Sequence, residues 1–332
     1  MACCDIGSTM SHSDDLVRPF TMTTARRPVA PVGSNRLASG ARPDWLATTV
    51  WPHRVRTLDV ADATVAYTDV GTGPTLLFVH VGMWSILWRD TIERLGDRYR
   101  CVTLDAPGSG LSQPGSGSVS LTAASDAVDA LVRSLDLGDL TLVVHDLGAI
   151  AALDAAGRWP DRVVGLVVIN GFGWKPDGIA FRAMLASMGN PAAREIDALT
   201  GWMTYASATR FGVARNWDRP TRRAYRRGFR RPQRRVFHRY IAAARRHDYG
   251  PTDSAVAGLA DRPLLTIFGQ RNDPLRFHPR WRARFPRATQ VTVPKGYHFP
   301  MCDAPDLVAR AIRDWHDERL RPGATTPDEA DV

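Results

Sequence analysis

Thr141-Leu142-Val143-Val144-His145-Asp146-Leu147-Gly148-Ala149 is a β-branched apolar run that meets a His-Asp-x-Gly sequence and passes at once into an alanine-rich helical pattern. The local reading is strand, sharp turn, helix. Asp146 falls at the turn, and Gly148, two places on, is the small residue that lets so tight a passage close. A carboxylate held there is a candidate nucleophile, because it can attack an alkyl carbon and leave an ester that water then splits. The competing reading is an Asp that merely caps the following helix.

The 332 residues make one large or two modest domains, and 44% hydrophobic residues suffice for a core. No apolar run reaches the eighteen or so residues of a membrane span, and the N-terminus lacks a charged segment followed by an apolar one. The expectation is therefore a cytoplasmic protein without a membrane partner. Cys3, Cys4, Cys101 and Cys302 have neither zinc nor disulfide spacing, so no metal site is read and a reducing compartment fits. The net charge of +9 comes from arginines concentrated in one internal region.

Residues 1–43 mix Ser, Thr, Pro, Gly and Arg without periodicity and read as a disordered extension, in which Met10 and Met22 are alternative starts. A hairpin follows, Val55 to Val60 and Thr64 to Asp69 about Ala61-Asp62-Ala63. Thr75 to Val79, Arg100 to Leu104, Thr141 to Val144, Val163 to Ile169, Pro263 to Phe268 and Gln290 to Val293 are short apolar runs of the kind a strand buried on both faces shows. Helical spacing separates several of them, including Thr122 to Leu135 and 304–318. That rhythm predicts a mostly parallel, doubly wound sheet. It stops over 174–260, where apolar positions recur at helical spacing, so this segment reads as an inserted helical cap between the core pieces 44–173 and 261–320. Residues 321–332 read as a flexible tail. Ser109 and Ser112, in the loop after Arg100 to Leu104, lack the strand-to-helix spacing of a nucleophile and read as turn formers.

Asp146, Asp273 and His298 each follow a predicted buried strand in the second half of the sheet, where open parallel sheets place their sites. Singly, a loop His is a surface residue and an Asp before Pro a turn former; in this order they read as a site. From about Pro43 to Trp315 the chain resembles the α/β-hydrolase superfamily, in its aspartate-nucleophile branch of haloalkane dehalogenases and epoxide hydrolases. The resemblance is carried by Phe78-Val79-His80, Trp84 to Asp90, Asp105 to Ser112, Val144 to Gly148, Asn272-Asp273-Pro274 and Gly296 to Phe299. It implies an α/β-hydrolase fold, with Asp146 as nucleophile, His298 as the base that activates water, and Asp273 as the carboxylate that orients the histidine. It also implies an oxyanion hole from the N–H groups of Leu147 and Val81 and a hydrolase without a cofactor, acting on a small molecule. His80 and His145 read as residues that shape loops.

The chain departs from that pattern. Dehalogenases of the branch hold the departing halide with a Trp after the nucleophile and an Asn past the oxyanion-loop His-Gly, and here stand Leu147 and Val81-Gly82-Met83. Trp84 or Asn170 are the substitute donors on offer. Epoxide hydrolases instead protonate an alkoxide from cap tyrosines, for which Tyr205, Tyr225 and Tyr240, with Tyr249 at the cap's end, are candidates. The expectation therefore leans to an epoxide hydrolase-like activity through an aspartyl ester. The alternatives are a haloalkane dehalogenase-like enzyme with an atypical halide site and a hydrolase-fold binding protein without catalysis. The arginines from 215 to 246 interleave with apolar residues at helical spacing and read as the wet face of the cap, or as a lure for an anionic substrate or acidic partner. No nucleic-acid-reading motif accompanies them.

Overall fold

The computed structural model describes residues 37–39, 42–117, 119–209, 212–213, 215–273 and 276–320. The apolar runs become strands of one nine-stranded sheet: β1 (Leu37–Ser39), β2 (Arg56–Val60), β3 (Ala63–Val70), β4 (Thr75–His80), β5 (Arg100–Asp105), β6 (Leu140–His145), β7 (Val163–Ile169), β8 (Leu264–Gly269) and β9 (Thr289–Val293). Their spatial order is β1-β2-β3-β5-β4-β6-β7-β8-β9, antiparallel up to the β3–β5 pair and parallel from β5 onward. Strands β4, β6 and β8 are buried along their whole length, as their unbroken apolar sequences require.

Helices cover both faces. On one side α2 (Leu121–Ser134) and α3 (Gly148–Ala156) pack on Leu77, Val102, Leu142 and Val144. On the other, α1 (Arg89–Leu95) and the last helix pack on Leu76, Phe78, Val143 and Val167. Between β7 and β8 the chain runs through α4 (Ile179–Met188), α5 (Pro191–Thr200), α6 (Trp202–Ser207), α7 (Arg219–Gly228), α8 (Arg231–Ala244) and α9 (Gly250–Gly258). Of these, α9 leans on α3, where Thr252 Oγ1 donates to Asp154 Oδ1 at 2.5 Å. The chain closes with α10 (Phe277–Arg284), α11 (Pro300–Asp303) and α12 (Pro305–Arg319).

One boundary differs from the sequence expectation. Residues 37–39, assigned to the disordered extension, form the edge strand β1, with Leu37 opposite Leu58. An edge pairing is made by backbone groups and leaves no periodic side-chain signal in so short a strand. The rest of the extension as far as residue 36, and the tail 321–332, lie outside the described residues, as do Phe211 and Pro274.

The joint between β6 and α3 sets the tightest steric limit. A Cβ on Gly148 would stand 2.4 Å from the Val79 carbonyl oxygen and 2.8 Å from its carbon, both rigid atoms of the neighbouring strand β4. Gly148→Ala is expected to cost about 3 kcal/mol, as overpacking against backbone does. Urea unfolding of that variant at matched m-value measures it.

Candidate active site

Strands β6 and β7 both end on a residue in the left-handed backbone region, Asp146 at φ +49° and Asn170 at φ +42°. Such a conformation costs an L-residue about 1–2 kcal/mol, and Asp and Asn tolerate it best. Both residues line the cavity described below. The helix that follows Asp146 has no side-chain cap, so the reading of Asp146 as a helix cap does not hold. Instead its Oδ2 lies 3.5 Å from His298 Nε2. Burial pushes the Asp146 carboxyl up, but the hydrogen bond and charge of His298 and the N–H of Leu147 outweigh it and hold the group below its ordinary value.

The loop bearing His298 is tied down from below. Asn170 Nδ2 donates to the carbonyls of Tyr297 and His298 at 2.8 and 2.9 Å, while its Oδ1 accepts from Gly269 N–H at 3.1 Å. His145 Nε2 lies 2.7 Å from the His298 carbonyl. A carbonyl can only accept, so this nitrogen carries the hydrogen and the ring is neutral, in line with burial driving its pKa well down. The His80 ring stacks on it at 4.9 Å, fully enclosed and pushed down to about 3 by that burial. Both histidines therefore shape the floor, as the sequence suggests.

Asp273 does not join this group. Its Oδ1 accepts from Phe277 N–H at 2.5 Å and its Oδ2 from His278 N–H at 3.1 Å, which caps the start of α10. Among the described residues no hydrogen bond joins it to His298. The free N–H groups of a helix start compete for the nearest carboxylate, and here they take both oxygens.

Above Asp146 and His298 lies a cavity of about 320 Å³, walled chiefly by Phe and Met side chains from the core and the cap. Leu147 lines it, and its N–H faces the Asp146 carboxylate as an oxyanion donor should. The side chain of Val81, whose backbone N–H is the other expected donor, is packed in the core, and Met83, beyond a Gly82 at φ +87°, reaches the cavity wall. Trp84 is also turned away. It is buried against Trp45 and closes on Gly228, with its ring N–H unpartnered among the described residues, so it is no leaving-group donor. Asn170 does reach the wall, but its amide hydrogens already serve the two carbonyls of the His298 loop. It is a positioning residue, and an Asn-Gly pair at a strand end is the only sequence mark it left.

The cap tyrosines fail as donors for packing reasons. Tyr225 shares a 2.8 Å hydrogen bond with Ser207 Oγ, Tyr240 O–H donates to the Pro107 carbonyl at 2.9 Å, and Tyr249 O–H donates to that of Ala244 at 2.8 Å. Tyr205 is exposed, with the Arg226 guanidinium 4.9 Å from its ring centre. None of the four lines the cavity. In the loop after β5, Ser112 Oγ donates to the Asp105 carbonyl and accepts from Ala66 N–H, the turn role expected of it. Ser109 Oγ is buried without a partner among the described residues.

Comparison with known proteins agrees with this fold. Residues 76–311 match the alpha/beta hydrolase family, and the chain belongs to it. Haloalkane dehalogenase 2 of Mycobacterium tuberculosis is 29% identical over 275 residues, covering 79% of this chain and 95% of that protein. A 2-(acetamidomethylene)succinate hydrolase of Mesorhizobium japonicum is 32% identical over 116 residues, 35% of this chain and 42% of that one. In fold, the chain is similar to the crystal structure of the haloalkane dehalogenase DatA from Agrobacterium tumefaciens, with TM-score 0.67, 21% identity and coverage of 79% and 95%. It is likewise similar to that of DbeA from Bradyrhizobium elkani, with TM-score 0.64, 19% identity and coverage of 79% and 96%.

Asn170→Ala removes three buried hydrogen bonds and is expected to lower stability by about 3 kcal/mol in urea unfolding. Asn170→Asp sets a carboxylate against two carbonyls. Ionisation is then disfavoured in the fold, so its deficit should grow as pH rises past about 4, where the unfolded chain ionises.

Proposed function

We propose that this chain hydrolyses small alkyl electrophiles whose leaving group departs as a stable anion, halides foremost, through an ester on Asp146. The observation that carries the reading is a carboxylate turned by left-handed backbone into an apolar cavity, with an imidazole nitrogen 3.5 Å from its Oδ2. An Asp146 oxygen attacks carbon and displaces the halide with its bonding pair, giving a neutral ester. His298 then takes a proton from a water whose oxygen adds to Asp146 Cγ, and the charge that develops on the carboxyl oxygen meets the Leu147 N–H. Collapse expels the alkoxide, which His298 protonates to the alcohol. The carboxylic acid left behind loses its proton to solvent.

A halide is favoured over an epoxide because of what the cavity walls offer. Epoxide opening leaves an alkoxide that needs a proton donor, and the tyrosine hydroxyls that would serve are bonded elsewhere. A halide needs solvation but no proton. Met83, Met184, Met188 and Met203 supply polarisable sulfur, and phenylalanine edges supply positive rims. With the halide-binding Trp and Asn of the branch absent, bromide and iodide should leave far more readily than chloride. The similarity to a haloalkane dehalogenase over 95% of its length supports the same direction. A second reading, epoxide opening through Ser207, rests on that hydroxyl lining the cavity and bonding Tyr225. Burial raises the Tyr225 hydroxyl and makes it a weaker acid, which counts against that relay.

With Asp273 bonded to the start of α10 and, among the described residues, not to His298, ester hydrolysis should be the slow half. A bromoalkane is expected to give a burst of about one equivalent of bromide per enzyme, then slow turnover. His298→Ala should stop at the ester, with the alkyl mass on the peptide containing Asp146. Faster diol formation from epoxides than bromide release would overturn the halide preference, and a ligand that only raises thermal stability, without turnover, would favour a binding protein. The pH response follows from the cited causes. His298 holds the Asp146 carboxyl down against burial, so removing it raises that group. Single-turnover bromide release by His298→Ala should therefore fall off at a higher pH than in the parent enzyme.

A further inference from the structure

We infer that the outer face of the cap is a docking surface for an anionic lipid bilayer, placed beside the mouth of the cavity. Residues 174–260 hold 16 arginines and one lysine against six acidic residues, a net of +11, whereas the whole chain carries +9. The positive charge of this protein is therefore a property of its cap. On α7, the turn after it and the first residue of α8, Arg219, Arg222, Arg223, Arg226, Arg227, Arg230 and Arg231 are all exposed. Among the described cap residues, arginine–carboxylate pairs within the cap or to the core are those of Arg194 and Arg235 with Glu195, Arg215 with Asp303 and Arg280 with Asp177. The α7 arginines stand outside them, a one-signed field projecting into solvent.

Charge alone would suit any acidic macromolecule. What selects a bilayer is the large apolar surface next to it. Ile196, Leu199, Trp202 and Tyr205 on α5 and α6 are exposed, Leu199 to 66% and Trp202 to 48%, as is Ile179 at the start of α4. A soluble protein rarely leaves such side chains together in water without a partner. The two kinds of surface meet: Arg226 lies over the Tyr205 ring at 4.9 Å, and the Ser207–Tyr225 hydrogen bond joins α6 to α7. Arginine beside Trp, Leu and Ile is the composition of a surface seated at the boundary between headgroups and acyl chains, where guanidinium meets phosphate and the apolar groups sink beneath. A nucleic acid or acidic protein would leave Leu199 and Ile196 without compensation.

The same surface runs into the cavity. Met184 lines the cavity and is itself 43% exposed, and Met203 and Ser207 line it from α6, the helix that carries Trp202 and Tyr205. Docking by this face would open the apolar cavity toward lipid, from which a lipophilic small molecule could enter without crossing water. No helix among the described residues is long and apolar enough to cross a membrane, and peripheral docking needs none. The expectation of no membrane partner rested on the lack of a spanning run. The inference does not depend on the chemistry at Asp146.

The test is co-sedimentation of the full chain with vesicles of phosphatidylcholine alone and of phosphatidylcholine mixed equally with phosphatidylglycerol. Binding is expected to the mixed vesicles only and to be lost in about 1 M salt, where the screening length falls to about 3 Å. The triple variant R222A/R223A/R227A should bind about a hundredfold more weakly, at about fivefold per arginine. L199S/W202S should lose at least about tenfold through apolar area alone. These positions are exposed, and unchanged thermal melting shows that each variant folds. Absence of binding to the mixed vesicles overturns the inference. So does full binding by L199S/W202S, or tighter binding to duplex DNA or polyglutamate that this double variant leaves intact, either of which marks a purely electrostatic site for another polyanion.

Discussion

A backbone carbonyl, that of Val79, lies close enough to Gly148 that no side chain fits between them. Because α3 can start that close to β4, the chain between β6 and α3 turns within one left-handed residue, and Asp146 is that residue. The whole site depends on this contact. It lifts a carboxylate clear of the sheet without a helix cap to hold it, and turns the Leu147 N–H toward its oxygens. The strain of the turn is carried by a sheet whose neighbouring strands are buried on both faces and cannot relax.

Around that turn the protein invests its polar groups in holding a histidine rather than in handling a leaving group. Asn170 and His145 bind the same carbonyl of His298 from two strand ends, and Asn170 reaches a third strand through Gly269. The cavity above is walled chiefly by methionine and phenylalanine, with Ser207 and Asn272 as further polar residues on its wall. On the proposed hydrolysis, that division of labour favours departing groups that need little help. On the same proposal the reaction rests on the pairing of Asp146 with His298, since Asp273 is engaged with α10. The cap adds a separate physical theme, an arginine field and exposed apolar groups on the outer side of the helices that roof the cavity.

The architecture was legible because buried parallel strands leave unbroken apolar runs, and each of the six runs became a strand, although β9 lies at the sheet edge with only Val293 buried, not enclosed on both faces as read. Asp146 and His298 were legible for the same reason, since each follows such a run within a few residues. Asp273 follows one too, yet its carboxylate turned to the helix beside it, a competition between two local partners that linear position does not rank. The tyrosines show the limit most clearly. Tyr225, Tyr240 and Tyr249 are where a helical pattern puts them, but the direction of each hydroxyl was settled by a carbonyl or hydroxyl distant in sequence or a turn away. Asn170, read as a stand-in donor, became a brace because the carbonyls it binds belong to a loop more than a hundred residues on.

The sequence by itself determined where the strands lie along the chain, the elbow that carries the carboxylate, the helical segment between β7 and β8 and the concentration of charge within it, because each is written in local periodicity and in the steric demands of neighbouring residues. Only the tertiary structure decided which polar side chains face the cavity and which are taken by backbone groups elsewhere. Such a choice is made between partners brought together by folding, and their relative distance, not their position along the chain, sets the outcome.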